Sequence, residues 1–335
     1  MRIAVDAMGG DHAPAVVVDG ALRAHRELGI DVILVGDDGR IRAELLRLGA
    51  EEGPGLAIHH ASQVVEMGES ASQGIRTKKD ASIRVALELV KRGEADAALS
   101  AGNSGAVLAA SLLILGRLPG VERPAVVAFL PTLQDPVTLL DAGANVDVKP
   151  LHLVQFALLG EVYARRVLQI PRPRVGVLSN GEEHNKGTLL TRSAMEILRQ
   201  VPRIDFRGYA EAGELFGGGF DVVATDGFTG NAVLKTAEAA AVAFGTYLKK
   251  SVESSVVAKL GAAMMRPSLG PLLQKLDYAE VGGAPLIGCD GTVLMAHGRS
   301  DARAIRSAIR TAADAAAVDI RSELSEVCAA VTVPE

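Results

Sequence analysis

Five short stretches of the sequence combine glycine with asparagine, aspartate or serine, the residue types that a loop needs to bind a small anion. They occupy positions 6–12 (DAMGGDH), 100–105 (SAGNSG), 141–145 (DAGAN), 179–187 (SNGEEHNKG) and 225–231 (TDGFTGN). Glycine lets the backbone approach a ligand closely, and a helix that begins in such a loop presents free N–H groups. Phosphate suits this combination. For any single stretch, an ordinary turn before a helix is the alternative.

Lys186, Asn231 and His12 are the candidate catalytic residues. Lys186 could pair with phosphate or with the oxyanion of a tetrahedral intermediate. Asn231 could donate a hydrogen bond to a phosphate or carbonyl oxygen, and His12 could bind phosphate or carry a proton. The alternatives are a solvated loop lysine, a plain turn asparagine and a histidine that only begins a helix.

A second group of residues is predicted to line the phosphate site: Gly9, Gly10, Gly102, Asn103, Ser104 and Asn145. Ser104 is interpreted as a hydrogen-bond donor rather than a nucleophile, because no histidine stands beside it in the sequence. The predicted supporting residues are Asp6, Asp141, Asp226, Lys78 and Lys149. We expect the aspartates to organise the loops by holding N–H groups and lysine in position.

Other familiar sites are not found in the sequence. No G-x-G-x-x-G follows the first predicted strand, and neither a P-loop nor a G-x-S-x-G elbow occurs. Cys289 and Cys328 have no metal or redox spacing, which favours a reducing cytoplasm. The sequence therefore predicts neither a metal nor a cofactor.

Apolar, β-branched runs alternate with longer helical patterns along most of the chain. The predicted strands are 2–6, 31–35, 95–100, 126–130, 137–141, 175–179 and 221–225. The predicted helices are 14–28, 41–48, 82–92, 105–115, 151–168, 189–199, 232–249 and 300–324. This alternation predicts an α/β fold with a mainly parallel sheet and helices on both faces. Each glycine-rich stretch follows a predicted strand, so we expect all five to converge at one edge of that sheet.

Length and composition limit the possible classes of protein. The 335 residues are 48% hydrophobic and are interpreted as one α/β unit over 1–335, with a division into two subdomains left open. The formal net charge of −5 argues against general nucleic-acid binding. No run approaches the roughly 18 apolar residues that span a bilayer.

Seven blocks, in order, resemble the bacterial phosphate acyltransferases of the PlsX family. They are AVDAMGGDHAP at 4–14, RTKKDAS at 76–82, SAGNSGA at 100–106, LLDAGANVDVKP at 139–150, NGEEHNKG at 180–187, DVVATDGFTGNAVLK at 221–235, and GGAPLIG with AHGRSD at 282–301. The resemblance runs from Met1 to about residue 320. It implies a fold similar to the isocitrate dehydrogenase and phosphotransacetylase group, and a homodimer.

The resemblance also implies a reaction and its partners. Acyl carrier protein would donate a fatty acyl group to inorganic phosphate, and the acyl phosphate would serve a membrane glycerol-3-phosphate acyltransferase in phospholipid synthesis. Because a thiolate leaves easily, phosphate could attack the thioester directly, without a covalent enzyme intermediate. The alternatives are a phosphotransacetylase-like enzyme that uses acyl-CoA and a non-catalytic regulator that binds an anion or lipid.

Residues 249–280 are predicted to form a projecting, basic, amphipathic helical hairpin, with its second helix beyond Pro267. The predicted surface contacts are Lys259, Met264, Met265, Arg266, Leu269, Leu272 and Lys275. Such a hairpin suits a membrane surface or the acidic helices of acyl carrier protein, and packing in a dimer interface is the alternative. The resulting prediction is a cytoplasmic protein held peripherally at the inner face of the membrane.

Overall fold

The computed structural model describes residues 1–183, 185–276 and 282–331. Its strands are β1 Arg2–Asp6, β2 Asp31–Gly36, β3 Leu56–His60, β4 Ala97–Ser100, β5 Ala125–Val126, β6 Ala128–Leu130, β7 Val137–Leu140, β8 Arg174–Ser179, β9 Asp205–Glu211, β10 Val222–Ala224, β11 Ala284–Ile287 and β12 Thr292–Met295. Its helices are α1 Ala15–Leu28, α2 Asp38–Arg47, α3 Ala71–Thr77, α4 Ser82–Lys91, α5 Ser104–Ile114, α6 Pro150–Arg166, α7 Leu189–Leu198, α8 Glu214–Gly217, α9 Gly227–Glu253, α10 Val256–Leu276, α11 Ala302–Ala316 and α12 Arg321–Ala329.

The described strands form two sheets rather than one. The first has the order β3-β2-β1-β4-β12-β11-β5, and the second has the order β6-β7-β10-β8-β9. Pairing is parallel except where β11 meets β12 and β5, and where β6 meets β7. The α/β fold with mainly parallel pairing is therefore confirmed.

The expectation of a single sheet edge is wrong, because the predicted strand 126–130 divides at Val127 between two sheets. The Val127 N–H donates to Pro285 O at 2.9 Å, which extends the antiparallel register of β5 with β11 by one residue, and β6 then pairs with β7. Strand β5 stays with the first sheet and β6 joins the second. Of the five glycine-rich stretches, those at 6–12 and 100–105 follow strands of the first sheet, and the other three follow strands of the second.

Helix α6 is the centre of the core beside the second sheet. Every residue from His152 to Ala164 is buried, which explains why its sequence is apolar on all sides. Glu161 is 3% exposed as a residue and accepts hydrogen bonds from Arg165 Nε at 2.7 Å and Arg203 Nη2 at 3.3 Å. A carboxylate buried in this way needs such partners.

Helices α9 and α10 form the predicted hairpin, but its turn lies earlier in the chain than predicted. Ser254 and Ser255 make the turn: the Ser255 hydroxyl accepts the Ala258 N–H at 3.0 Å and caps α10. Pro267 lies within α10, and residues 239–251 of α9 are all exposed. Within the described ranges, no helix is long and apolar enough to cross a membrane.

Several residues predicted to contact a surface can be located on this hairpin. Met264 is 76% exposed and Met265 55% exposed, and Lys259 is exposed as well. The side chains of Arg266, Leu269, Leu272 and Lys275 lie outside what the structure describes, as do residues 277–280 of the predicted hairpin.

Glycine at position 20 allows α1 to pack closely against α11. A Cβ at Gly20 would lie 2.5 Å from the Cβ of Ile305 and 2.7 Å from the carbonyl oxygen of Ala302. We expect Gly20→Ala to lower the free energy of unfolding by about 1–3 kcal/mol, because this overlap outweighs alanine's better helix propensity. Urea unfolding would measure the change.

Gly245 provides the matched control, since a Cβ there meets nothing within 4 Å in the exposed middle of α9. Gly245→Ala should leave the stability unchanged or raise it by up to about 1 kcal/mol. Equal effects of the two substitutions would contradict the close packing of α1 on α11.

Candidate active site

The loops that follow β1 and β4 meet as predicted. Asp6 Oδ2 accepts a hydrogen bond from the Ser100 hydroxyl at 2.6 Å, and Ser100 Oγ accepts the Gly102 N–H at 3.0 Å. A Cβ on Gly9 would lie 2.8 Å from the Gly102 nitrogen. Because glycine at position 9 has no Cβ, the backbones of the loops after β1 and β4 can approach each other.

A third loop, which sequence reasoning from predicted strands missed, joins this group. Gly298 follows β12, and its carbonyl oxygen accepts the Asp11 N–H at 2.8 Å. Gly298 also lines a narrow crevice with Gly9, Gly10 and His12. The strand before Gly298 was not predicted, and the only sequence signal for this loop was the AHGRSD block. The His12 carbonyl accepts the Val16 N–H at the start of α1, and the role of the His12 imidazole stays a prediction.

Both polar atoms of the Asn103 side chain form hydrogen bonds with the protein. Its Oδ1 accepts the Ala106 N–H at 3.1 Å and caps α5, and its Nδ2 donates to Met67 O at 3.1 Å. Ser104 is exposed in the first turn of the same helix. Phosphate binding by the Asn103 side chain stays a prediction. A bound phosphate would have to share the side chain with Ala106 and Met67.

Lys78 supports the segment that Asn103 binds. Its ammonium donates to Glu69 Oε2 at 2.6 Å and to Val64 O at 2.7 Å. The hydrogen bond from Lys78 lowers the pKa of the Glu69 carboxyl. Lys78 therefore fixes the 64–69 segment beside α5.

The loops of the second sheet meet around Asp141, which is fully buried. Its carboxylate accepts the N–H groups of Val126, Gly143, Ala144 and Asn145, at distances of 2.5–3.2 Å, and the Asn145 side-chain amide at 2.9 Å. A Cβ on Gly227 would lie 2.7 Å from Asp141 Oδ2. Burial raises the pKa of the Asp141 carboxyl, and its N–H donors oppose that shift.

Asp226 and Asn231 stand at the start of α9 in the same group. Asp226 Oδ1 accepts the Thr229 N–H at 2.8 Å, so it caps the helix as a loop organiser would. Asn231 is exposed one turn later, and its Cβ lies 3.6 Å from the position of a Cβ on Gly143. Asn231 thus stands beside the loop that Asp141 shapes.

Lys186 lies in the long loop after β8, and its ammonium is weakly paired. The Nζ atom is 3.8 Å from Glu183 Oε2, and 41% of the side chain is exposed. The next residue, Gly187, has φ +79° and donates its N–H to Asn180 Oδ1 at 2.9 Å. Among the described residues, no hydrogen bond joins Lys186 directly to either of the other loop groups.

A cleft of about 880 Å³ is lined by residues of α5 and of the loop after β7. Leu108 and Leu112 of α5 contribute apolar side chains, and Asn145 and Lys149 contribute polar ones. Among the candidate site residues that the structure describes, Asn145 and Lys149 therefore line this cleft, and those of the loops after β1 and β4 do not.

The pH dependence of stability tests the buried carboxylate of Asp6. Burial raises the pKa of Asp6, against the hydrogen bonds from Ser100, Ser82 and the backbone. The folded state then holds this proton more tightly than the unfolded state, so the stabilisation is present below the unfolded pKa and is lost as pH rises through the folded pKa. The stability of the wild type relative to Asp6→Asn should fall as pH rises above about 4 in urea unfolding.

The exposed Asp38 gives a control of opposite sign. Its hydrogen bond with Arg42 lowers the pKa of the Asp38 carboxyl. Relative to Asp38→Asn, the wild type should gain stability as pH rises to about 4–5 and should stay level above that range. If the stability of the wild type relative to Asp6→Asn also rises with pH, the hydrogen bonds to Asp6 lower its pKa more than burial raises it.

Comparison with known proteins gives consistent results. A family model described as "Fatty acid synthesis protein" matches residues 1–323. The chain is 52% identical over 327 residues to a phosphate acyltransferase of Anaeromyxobacter dehalogenans (strain 2CP-1 / ATCC BAA-258), covering 98% of this chain and 90% of that protein. It is 50% identical over 326 residues to a phosphate acyltransferase of Geobacter sulfurreducens, covering 97% and 94%.

Solved structures resemble the fold at much lower sequence identity. A phosphotransacetylase from Streptococcus pyogenes matches with a TM-score of 0.65 and 17% identity, covering 95% of this chain and 94% of that one. A branched-chain phosphotransacylase from Enterococcus faecalis matches with a TM-score of 0.54 and 14% identity, covering 94% and 99%. These likenesses concern the fold alone. Since the family model and the relatives both match nearly the whole sequence, the chain belongs to the phosphate acyltransferase family and is an acyltransferase.

Proposed function

We propose that this chain transfers a fatty acyl group from acyl carrier protein to inorganic phosphate and releases acyl phosphate for phospholipid synthesis. The observation that carries the proposal is the 52% identity to a phosphate acyltransferase over 98% of the chain. The glycine-rich loops support it, because they suit an anion as the acceptor.

In the proposed reaction, a phosphate oxygen attacks the thioester carbonyl carbon. A carbon–oxygen bond forms, the carbon–sulfur bond breaks, and the thiolate leaves and takes up a proton. Both reactants are anionic, so the protein must neutralise charge and stabilise the oxyanion of the tetrahedral intermediate. Positioning the two reactants next to each other supplies much of the remaining acceleration.

The contacts of the described residues support a separate role for each candidate. The Lys186 ammonium, 3.8 Å from Glu183, is free enough to pair with phosphate or with the oxyanion. Asn231 would donate to the same group from beside Gly143, and His12 would bind phosphate or carry a proton. Gly9, Gly10, Gly102, Asn103, Ser104 and Asn145 would line the phosphate site.

The role of Lys186 can be tested by substitution. We expect Lys186→Ala to lower kcat for acyl phosphate synthesis by about 10²–10³-fold, because a donor to the oxyanion is lost. Mass spectrometry of acyl phosphate formed from palmitoyl-acyl carrier protein and phosphate measures the product.

Arg47→Ala is the control, since it removes an exposed cation of α2 that pairs with Glu44. This variant should keep full activity. A folded Lys186→Ala protein with normal turnover would overturn the assignment.

The exposed apolar side chains of the hairpin fit two further partners that we propose. Val242, Phe244 and Tyr247 on α9 are each about 70% exposed, and such a surface suits a second copy of the chain. On α10, Leu260, Met264 and Met265 are exposed on a helix that also carries Lys259. That combination suits the surface of an anionic membrane, where a glycerol-3-phosphate acyltransferase could receive the product.

Flotation with anionic vesicles tests the membrane contact. A double variant, Met264→Glu with Met265→Glu, should float at least about fivefold less than the wild type, because it adds two charges and removes apolar area. Leu46→Glu is the matched control, because Leu46 is 71% exposed on α2, away from the hairpin. Equal flotation of all three proteins would contradict the membrane role.

A further inference from the structure

The cleft of about 880 Å³ is much larger than an inorganic phosphate ion needs, and its lining is of two kinds. Leu108 and Leu112 of α5, together with Pro124, supply the apolar part of the lining. Three cationic side chains, Arg117, Arg123 and Lys149, stand around the same space. The occupant that fits both parts is a long, flexible molecule with an anionic group.

Among the described residues that line the cleft, the three cations outnumber the one acid, Glu122. Glu122 is held by His152: the His152 Nδ1 accepts the Lys149 N–H at 3.1 Å, so the Nε2–H must donate to Glu122 Oε2 at 2.8 Å. Within the described part of the chain, neither the Arg123 guanidinium nor the Lys149 ammonium forms an ion pair. Both cations are therefore available to an anionic ligand.

The cleft also borders the candidate site for phosphate. Ala144 and Asn145 line it and follow directly on Gly143, whose Cβ position would lie 3.6 Å from the Cβ of Asn231. Helix α5 leads back to Ser104 and the loop after β4. A ligand lying along the cleft would present one end to the catalytic candidates and keep its charged end near Arg123.

We propose that this cleft binds the 4′-phosphopantetheine arm that carries the acyl thioester. The phosphate of the arm pairs with Arg123 and Lys149, the pantetheine chain lies along Leu108 and Leu112, and the thioester points towards Asn231. This inference rests on the proposed function, because it assumes a thioester donor. Acyl carrier protein and coenzyme A both carry the arm, so the chemistry recognised here is common to the two.

Binding tests the inference without any reaction. Calorimetry should find that 4′-phosphopantetheine binds the wild type about tenfold more tightly than pantetheine, which lacks the phosphate, because charge-assisted hydrogen bonds are lost. Arg123→Gln and Lys149→Gln should each remove most of this difference, and Arg92→Gln, at an exposed arginine that pairs with Glu94, should keep it. Equal affinity for the two ligands in the wild type would overturn the proposal.

Kinetics then separate this inference from the proposed function. In Arg123→Gln, the KM for acyl carrier protein and acyl-CoA donors should rise about tenfold, while the KM for phosphate and for an acyl N-acetylcysteamine thioester stays within about twofold. If the KM values for the donors are unchanged in Arg123→Gln and acyl phosphate is still formed, the assignment of the cleft is overturned and the proposed function is not. If the wild type forms no acyl phosphate from any donor, the proposed function is overturned. A preference for acyl-CoA would overturn acyl carrier protein as the donor and would still support the cleft as the site of the arm.

Discussion

The buried carboxylate of Asp141 is the constraint on which the arrangement of the site depends. It accepts the Val126 N–H from the edge of the first sheet and three N–H groups of its own loop in the second. A buried carboxylate is stable only when such donors surround it, so the loop and the sheet edge must take up this one arrangement. The close packing of Gly227 against the same carboxylate then fixes where α9 begins, and with it Asn231.

Most elements of the fold could be predicted from the sequence because each has a strong local pattern. Strand β1 and the helices α1, α4 and α7 begin and end within a residue or two of the predicted positions. The division into two sheets could not be predicted, because it depends on β5 pairing with β11 while β6 pairs with β7, and β11 is distant in sequence. Strands β3, β9, β11 and β12 were missed. The hairpin turn was placed too late in the chain, because Pro267 was taken as the break and the turn is made by Ser254 and Ser255.

The site could be predicted more fully in its residue types than in its contacts. The aspartates were expected to organise loops, and Asp6, Asp141 and Asp226 all bind N–H or O–H donors. The loops were expected to converge at one edge, but those after β1, β4 and β12 meet in one group and those after β7 and β10 meet in another. That Asn103 donates to Met67 O, and that His152 holds Glu122, depends on contacts between residues about 30 or more positions apart, which no local pattern contains.

The distribution of charge explains how a chain with a net charge of −5 can accept two anionic reactants. The carboxylates of the loops are bound to backbone N–H groups and hydroxyls, and Glu122 is bound to a neutral histidine. Among the described residues, neither Lys149 nor Arg123 forms an ion pair, and Lys186 pairs with Glu183 at 3.8 Å, so these cations stay accessible to a ligand. A loop aspartate that instead paired with one of these cations would lower the affinity for phosphate and for the donor together. The site therefore depends on acids that organise the loops without neutralising the neighbouring bases.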